Sequence, residues 1–176
     1  MRRREGAVEP QDFVLKMQSP MELMKGSQQI AQVSPETIRQ QIERTSTRLS
    51  DLQDSLSKYN PSKVGDASQK QLHKHLQDIS DSLKASNIIV GAEAKDLHPP
   101  KKPLNMVNST INLLASANNE LLTMGQGFDK GMEDVSIGKM LRMQYHLYRI
   151  QRSVELSTAI IGKTASSLNS LFNTQL

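Results

Sequence analysis

The stretch that decides the fold is residues 34–59, SPETIRQQIERTSTRLSDLQDSLSKY. Ser34 suits a helix N-cap, because its side-chain oxygen can accept a hydrogen bond from an unpaired helix amide. Pro35 suits the first helical position, where its missing N–H is not needed. Apolar or small residues then recur at alternating spacings of four and three: Ile38, Ile42, Thr45, Leu49, Leu52, Leu56 and Tyr59. This heptad spacing predicts an amphipathic helix with a narrow apolar seam.

The same pattern returns after a short break that contains Pro61 and Gly65. Asp66 offers a second N-cap, and a second seam follows: Leu72, Leu76, Ile79, Leu83, Ser86 and Val90. Two helices of about 25 residues joined by a short connection predict an antiparallel helical hairpin over residues 34–90. At 1.5 Å per residue, the hairpin should be about 35 Å long.

The segments on either side of this hairpin have a different composition. Residues 1–33 show little periodicity and are interrupted by Pro20 and Gly26, so they are predicted to be a flexible, disordered N-terminal segment. Residues 91–103 contain three prolines and predict a stiff Pro-rich linker, which is the best candidate for a domain boundary.

Residues 104–176 predict a shorter helix followed by a long C-terminal helix. The shorter helix has the seam Leu104, Val107, Ile111, Leu114, Asn118 and Leu121. The long helix should run from about Val135 to Asn173, with an apolar path of Met140, Leu147, Ile150, Val154, Ile161, Leu168 and Phe172. Such a helix cannot bury its apolar path alone, so we expect it to assemble with neighbours. No stretch alternates between apolar and polar residues as a half-buried strand does, so the predicted fold class is all-α.

Composition excludes several classes of protein. The chain has 176 residues, a net charge of +4, no Cys, no Trp and 3% aromatic residues. Without Cys it has no disulfide, thiol nucleophile or Cys-ligated metal. The longest apolar run is about five residues, far below the ~20 that span a bilayer. The basic Arg2–Arg4 is not followed by an apolar segment, so no signal peptide is expected.

The pattern of polar residues also predicts that the protein is not an enzyme and holds no metal or cofactor. His73 and His75 are two residues apart on a helix and point in different directions, so they cannot share one metal ion. Gly162-Lys163-Thr164 is similar to the end of a phosphate-binding loop. However, no glycine lies five residues before Gly162 and no strand precedes it, so nucleotide binding is not expected.

The last helix is basic. Residues 136–176 contain five basic residues against Glu155 alone, namely Lys139, Arg142, Arg149, Arg152 and Lys163. This charge is consistent with a solvated face or with an assembly surface. Nucleic-acid binding is not expected, because aromatic stacking platforms and dense basic clusters are missing.

Three short elements follow one another near the C-terminus of the chain. They are Leu141-Arg142-Met143-Gln144, then Val154-Glu155-Leu156, then Gly162-Lys163-Thr164, before a close formed by Leu168, Leu171, Phe172 and Gln175. In their order, spacing and C-terminal position, residues 136–176 resemble the inner-rod proteins of bacterial type III secretion systems. The resemblance covers under a quarter of the chain and is formed by ordinary helix residues.

The resemblance implies a small, helical, self-assembling subunit. Inner-rod proteins are exported through the apparatus they help to build, pack beneath the needle against the export gate, and take part in substrate switching. The implied partners are copies of this chain, needle subunits, and export-gate and basal-body proteins. The implied location is the basal body and the periplasmic inner rod, and the protein could also be secreted. The implied assembly residues are Leu141, Gln144, Val154, Glu155, Leu156, Ile161, Gly162, Lys163, Leu168, Leu171 and Phe172.

Two other classes of function stay open. Inner rods are usually shorter, and the hairpin over residues 34–90 is not part of their pattern. That hairpin alone favours a coiled-coil adaptor or a secretion chaperone. A secreted helical effector or translocator would share both features, although a translocator that inserts into membranes should have longer apolar stretches.

Overall fold

A computed structural model describes residues 33–59, 64–130 and 135–173 of the chain, with side chains described to residue 166. Within these ranges there are four helices and no strand: α1 (Pro35–Ser57), α2 (Asp66–Ile89), α3 (Val107–Lys130) and α4 (Ile137–Asn173). The all-α prediction is confirmed. The predicted flexible segment 1–33 lies outside the described residues, apart from Val33.

The start of α1 follows from its capping residues. Ser34 has extended backbone angles, and its side chain accepts a hydrogen bond from the Thr37 amide at 3.2 Å. Pro35 takes the first helical position. All seven residues of the predicted seam are buried: Ile38, Ile42, Thr45, Leu49, Leu52, Leu56 and Tyr59. The heptad pattern therefore predicted both the helix and the side of it that faces the core.

The helices pack so that α1 contacts α3 and α4, and α2 contacts the same two helices. The paired side chains give the directions of α1 and its neighbours. Two of them, Arg39–Asp129 at 2.6 Å and Ser46–Asn118 at 2.7 Å, show that α1 and α3 are antiparallel. Two more, Arg48–Glu155 and Gln151–Thr45, show that α1 and α4 are parallel.

The helix α2 runs antiparallel to α4. Ile88 near the end of α2 lines a groove with Lys139, whereas Gln71 near its start lines another groove with Ala159. Since α1 is parallel to α4, α1 and α2 are antiparallel to each other, as expected for the two arms of the hairpin. They lie diagonally across the bundle, and α3 and α4 fill the space between them.

The connection between α2 and α3 is a packed strap along α2. Because these helices run in the same direction, the chain must return along the bundle before α3 begins. Three hydrogen bonds hold it to α2: Ser80 Oγ to the Leu97 carbonyl (2.6 Å), His73 Nδ1 with the Pro100 carbonyl (2.9 Å), and the Leu104 amide to Gln69 Oε1 (2.9 Å). The Pro-rich segment 91–103 thus lies against the bundle, and the hairpin region and residues 104–166 share one hydrophobic core.

The interface between α2 and α4 is the most extensive in the bundle. Arg149 of α4 donates to Asp78 of α2 at 3.0 Å, which fixes the register of the two helices. Small buried hydroxyl residues follow the paired residue by one and two turns on each helix and face the partner helix. They are Ser82 and Ser86 on α2, and Ser153 and Ser157 on α4. We call this interface the α2–α4 seam. Its small side chains permit close approach but bury little apolar area.

Candidate assembly surface

The outward side of α4 exposes large apolar side chains to solvent. The exposed fractions are 67% for Ile137, 46% for Leu141, 59% for Tyr145 and 64% for Tyr148. Spacings of four, four and three residues place them along one side of a helix. Arg152 continues this line with 60% of its side chain exposed. We call these five residues the outer α4 face.

The inner side of the same helix is buried in the core of the bundle. Its buried residues are Met140, Met143, Leu147, Ile150, Val154 and Ile161, and all of them belong to the common core. The helix α4 therefore has apolar residues on two sides, of which the bundle covers one. A contiguous apolar patch on a protein surface is typical of a site that binds another macromolecule.

Positive charge borders the outer α4 face on its α2 side. Lys139 and Arg142 are exposed, and neither forms an ion pair with another described residue. The Arg152 guanidinium lies 3.9 Å from a carboxylate oxygen of Glu155, so their ion pair is weak. Tyrosine and arginine are enriched at the centres of protein interfaces, because they combine a large contact area with hydrogen-bonding groups.

Contacts with α1 fix the rotation of α4 about its axis. The Arg48 guanidinium pairs with Glu155, and Gln151 Nε2 donates to Thr45 Oγ1 at 2.9 Å. The α1 side of α4 is thus held by polar contacts, while Arg149 holds the α2 side through Asp78. The outer α4 face lies between these two sets of contacts and points away from the bundle.

Two histidines border the α2–α4 seam, His75 on α2 and His146 on α4. Burial is the largest influence on both, and it lowers the pKa of each imidazole by disfavouring the charged form. Asp78 partly opposes this at His75, and Arg149 adds to it at His146. Each Nδ1 is buried without a hydrogen-bond partner among the described residues. The seam therefore favours neutral histidines.

The residues implied by the inner-rod resemblance fall on different sides of α4. Val154 and Ile161 are 2% and 4% exposed and lie in the core of this same chain. We expected neighbours to cover their apolar path. Instead, α1 and α2 cover its described part, because together with α3 they form a closed bundle around it. Leu141 lies on the outer α4 face, and Glu155 is exposed beside Arg48.

The other residues implied by the resemblance lie neither in the core nor on the outer α4 face, or their side chains are outside the described residues. Gln144 and Leu156 are half-buried, and Gly162 and Lys163 are exposed. A Cβ added at Gly162 would meet nothing within 4 Å, so close helix packing within the bundle does not require this glycine. The side chains of Leu168, Leu171 and Phe172 lie outside the described residues.

Sequence reasoning did not single out Tyr145. The apolar path predicted for α4 runs through Met140, Leu147 and Ile150, on the side that faces the core, so Tyr145 does not lie on it. A search for two apolar lines on one helix would have found Tyr145, because it lies four residues after Leu141 and three before Tyr148.

The described residues form neither a metal-binding cluster nor a membrane-spanning helix. Among the described residues, no cluster of three His, Asp or Glu side chains is arranged to hold a metal ion. His73 is instead within hydrogen-bonding distance of the Pro100 carbonyl. Among the described helices, none combines the length and the apolar character that crossing a bilayer requires.

No protein-family model, curated protein or solved structure matches this chain. The function is therefore inferred from the outer α4 face and from the C-terminal residue pattern.

Proposed function

We propose that this protein is a structural subunit of a type III protein secretion apparatus, packing as the inner rod beneath the needle and contributing to export and substrate switching. The observation that supports it is the coincidence of two features on α4. The inner-rod-like pattern from Leu141 to Thr164 lies on this one helix, and the same helix presents an exposed line of apolar and aromatic residues.

The geometry suits a subunit that binds neighbours after its own core is complete. The helix α4 has 37 residues and is thus about 55 Å long. Its inner side holds the bundle together, while its outer face remains available for copies of the chain, needle subunits, or export-gate and basal-body proteins. Tyr145 and Tyr148 provide rigid contact area at low entropic cost.

The interior suits a chain that must unfold for export. No disulfide restrains the chain, and among the described residues the buried aromatic side chains are those of Tyr59 and Phe128. The buried serines of the α2–α4 seam contribute little hydrophobic free energy, because that contribution scales with the apolar area removed from water. A bundle of modest stability costs less work to unfold before passage through a narrow channel.

The test replaces two residues of the outer α4 face by acidic ones, Leu141→Asp and Tyr148→Asp, in the host strain. We expect secretion of every substrate class to fall to the level of the gene deletion, because subunit packing is lost. A matched control, Met106→Asp with Leu122→Asp, changes two apolar residues of similar exposure elsewhere. Normal secretion by the α4 variant, with the protein present at wild-type level, would contradict the proposal.

A coiled-coil adaptor or a secretion chaperone is the second candidate. The observation that favours it is the bundle core, which α1 to α4 complete within one chain. An adaptor needs no export of its own, whereas an inner rod is assembled outside the cytoplasm. Loss of one substrate alone in the deletion strain would support the adaptor, and loss of all substrates would support the inner rod.

A further inference from the structure

The outward side of α1 is acidic. Along its middle, exposed residues recur at spacings of three and four and contain four carboxylates: Glu36, Gln40, Glu43, Thr47, Asp51 and Asp54. Arg44 is also exposed and lies beside this line. Glu43, Asp51 and Asp54 form no ion pair with another described residue, and Glu36 lies 3.5 Å from Arg39. We call these six residues the acidic α1 face.

The three arginines of α1 offset the charge of this face only in part. Arg39 points toward α3 and binds Asp129 at 2.6 Å, while Arg48 points toward α4 and binds Glu155. Both therefore lie at the edges of α1, where they hold the bundle together. Between Glu36 and Asp54, the outward side therefore carries four carboxylates against the one exposed guanidinium of Arg44, and its net charge stays negative.

The outer α4 face has the opposite charge. Arg152 lies on it, and Arg142 lies beside it, with exposed guanidinium groups at two levels about 15 Å apart along the helix. Tyr145 and Tyr148 stand between these levels and supply hydroxyl groups that can donate to carboxylates. Charge-assisted hydrogen bonds of this kind are about twice as strong as neutral ones.

From this complementarity we infer that the outer α4 face of one molecule binds the acidic α1 face of a second copy of the same chain. The inference deepens the proposed function, on which its biological role rests, by naming the acceptor surface for subunit packing. The two faces are of similar length: Glu36 to Asp54 spans about 27 Å, and Ile137 to Arg152 about 22 Å.

The two faces of one molecule cannot satisfy each other. The helices α1 and α4 are parallel neighbours fixed by Arg48–Glu155 and Gln151–Thr45, and both faces point away from the bundle. The donor and acceptor surfaces are therefore different and rigidly held. When the two faces of one molecule bind two different copies, the contact is heterologous and repeats from copy to copy as a ring or an open helical array.

The test is a charge exchange measured on the purified full-length protein by sedimentation velocity. One variant reverses the basic side, Arg142→Glu with Arg152→Glu, and another reverses the acidic side, Glu43→Arg with Asp51→Arg. We expect wild type to associate with rising concentration and to dissociate with added salt. Each variant alone should weaken association by about tenfold or more, because like charges then face each other across the contact.

The decisive measurement combines the two changes. Mixing the two variants should restore association, since each supplies the surface that the other lacks, and so should all four substitutions in one chain. A control with the same change in net charge as the Arg142→Glu/Arg152→Glu variant, Lys70→Glu with Lys101→Glu, alters two exposed lysines away from both faces and should associate as wild type does. Circular dichroism checks that every variant is folded.

Three results would overturn the inference: wild type that stays monomeric at all concentrations, reversals that leave association unchanged, or reversals that no combination restores. The last result would indicate that a different partner, such as another protein with an acidic helix, binds the outer α4 face. These outcomes are separate from the secretion assay. A chain that supports secretion but does not associate through these faces would leave the proposed function standing and remove this inference alone.

Discussion

His75 and His146 make the stability of the bundle depend on pH. Burial lowers the pKa of each below the ordinary value of 6.5, so the unfolded chain binds protons more readily than the folded one. Above that pH both imidazoles are neutral in the folded and in the unfolded chain, so they do not lower the stability of the bundle. As the pH falls below 6.5 toward the lowered values, each contributes a loss of stability. The charged groups that act on them are Asp78, Lys74 and Arg152 at His75, and Arg149 at His146.

We predict that His75→Gln with His146→Gln reduces the fall in the free energy of unfolding between pH 7 and pH 5. Urea unfolding at each pH measures it, with His98→Gln on the exposed part of the strap as the control. The explanation fails if the double variant loses as much stability on acidification as wild type does.

Gly91 ends α2 through its backbone conformation. Its φ is +72°, and the two amides that follow the helix bond backwards: Gly91 to the Ile88 carbonyl at 3.2 Å and Ala92 to the Asn87 carbonyl at 2.9 Å. This is the Schellman ending, in which an L side chain is strained by about 1–2 kcal/mol. No atom lies within 4 Å of a Cβ built there, so the cost comes from the backbone alone.

We predict opposite effects for two glycine substitutions. Gly91→Ala should destabilise the protein by about 1–2 kcal/mol, whereas Gly162→Ala in the interior of α4 should stabilise it by up to about 1 kcal/mol. Denaturant midpoints at constant slope measure both changes. Equal effects of the two substitutions would contradict this explanation of the α2 ending.

At the scale of the elements, sequence periodicity was sufficient where one side of a helix faces the core. The seam of α1 and its Ser34 cap were both read correctly, because heptad spacing and capping are local properties. The outer α4 face was not read as a unit, since its apolar residues share a helix with a second apolar side. The packing of the strap was also missed, because prolines mark a break in helix but do not say what the break contacts.

The strap provides a test at this scale. Leu104 is fully buried, whereas Met106, two residues later, is 49% exposed. Leu104→Ala should lower the free energy of unfolding by about 2–5 kcal/mol through the cavity it leaves, while Met106→Ala should change it by less than about 0.5 kcal/mol. A Leu104 variant as stable as wild type in thermal and urea unfolding would mean that the strap contributes little to the core.

At the scale of the whole molecule, the core depends on α4. The helix supplies Met143, Leu147 and Ile150 to an interior shared with α1 and α2. We predict that a chain truncated after residue 136 loses cooperative unfolding and keeps only partial helix content. Calorimetry and circular dichroism against the full chain measure this, and a sharp transition in the truncated chain would show that the first three helices fold alone.

The arrangement of the four helices could not be obtained from sequence. Each seam shows which side of a helix is inward, but the seams of α1 and α2 are equally compatible with a pair packed directly together. Long-range pairs such as Arg149–Asp78 and Gln151–Thr45 decide that the later helices fill the space between them. These pairs involve ordinary polar residues, for which spacing along the chain carries no signal.

The diagonal position of α1 and α2 has a mechanical consequence. Because α1 contacts the two helices that come last in the chain, a pull that removes α1 exposes the inner sides of α3 and α4 together. The part left behind is then an open groove that cannot exclude water, so the antiparallel pair of α2 and α4 loses the core that it shares with α1. Under force from its N-terminal end, the bundle should therefore yield in one step at low load and thread onward as an extended chain.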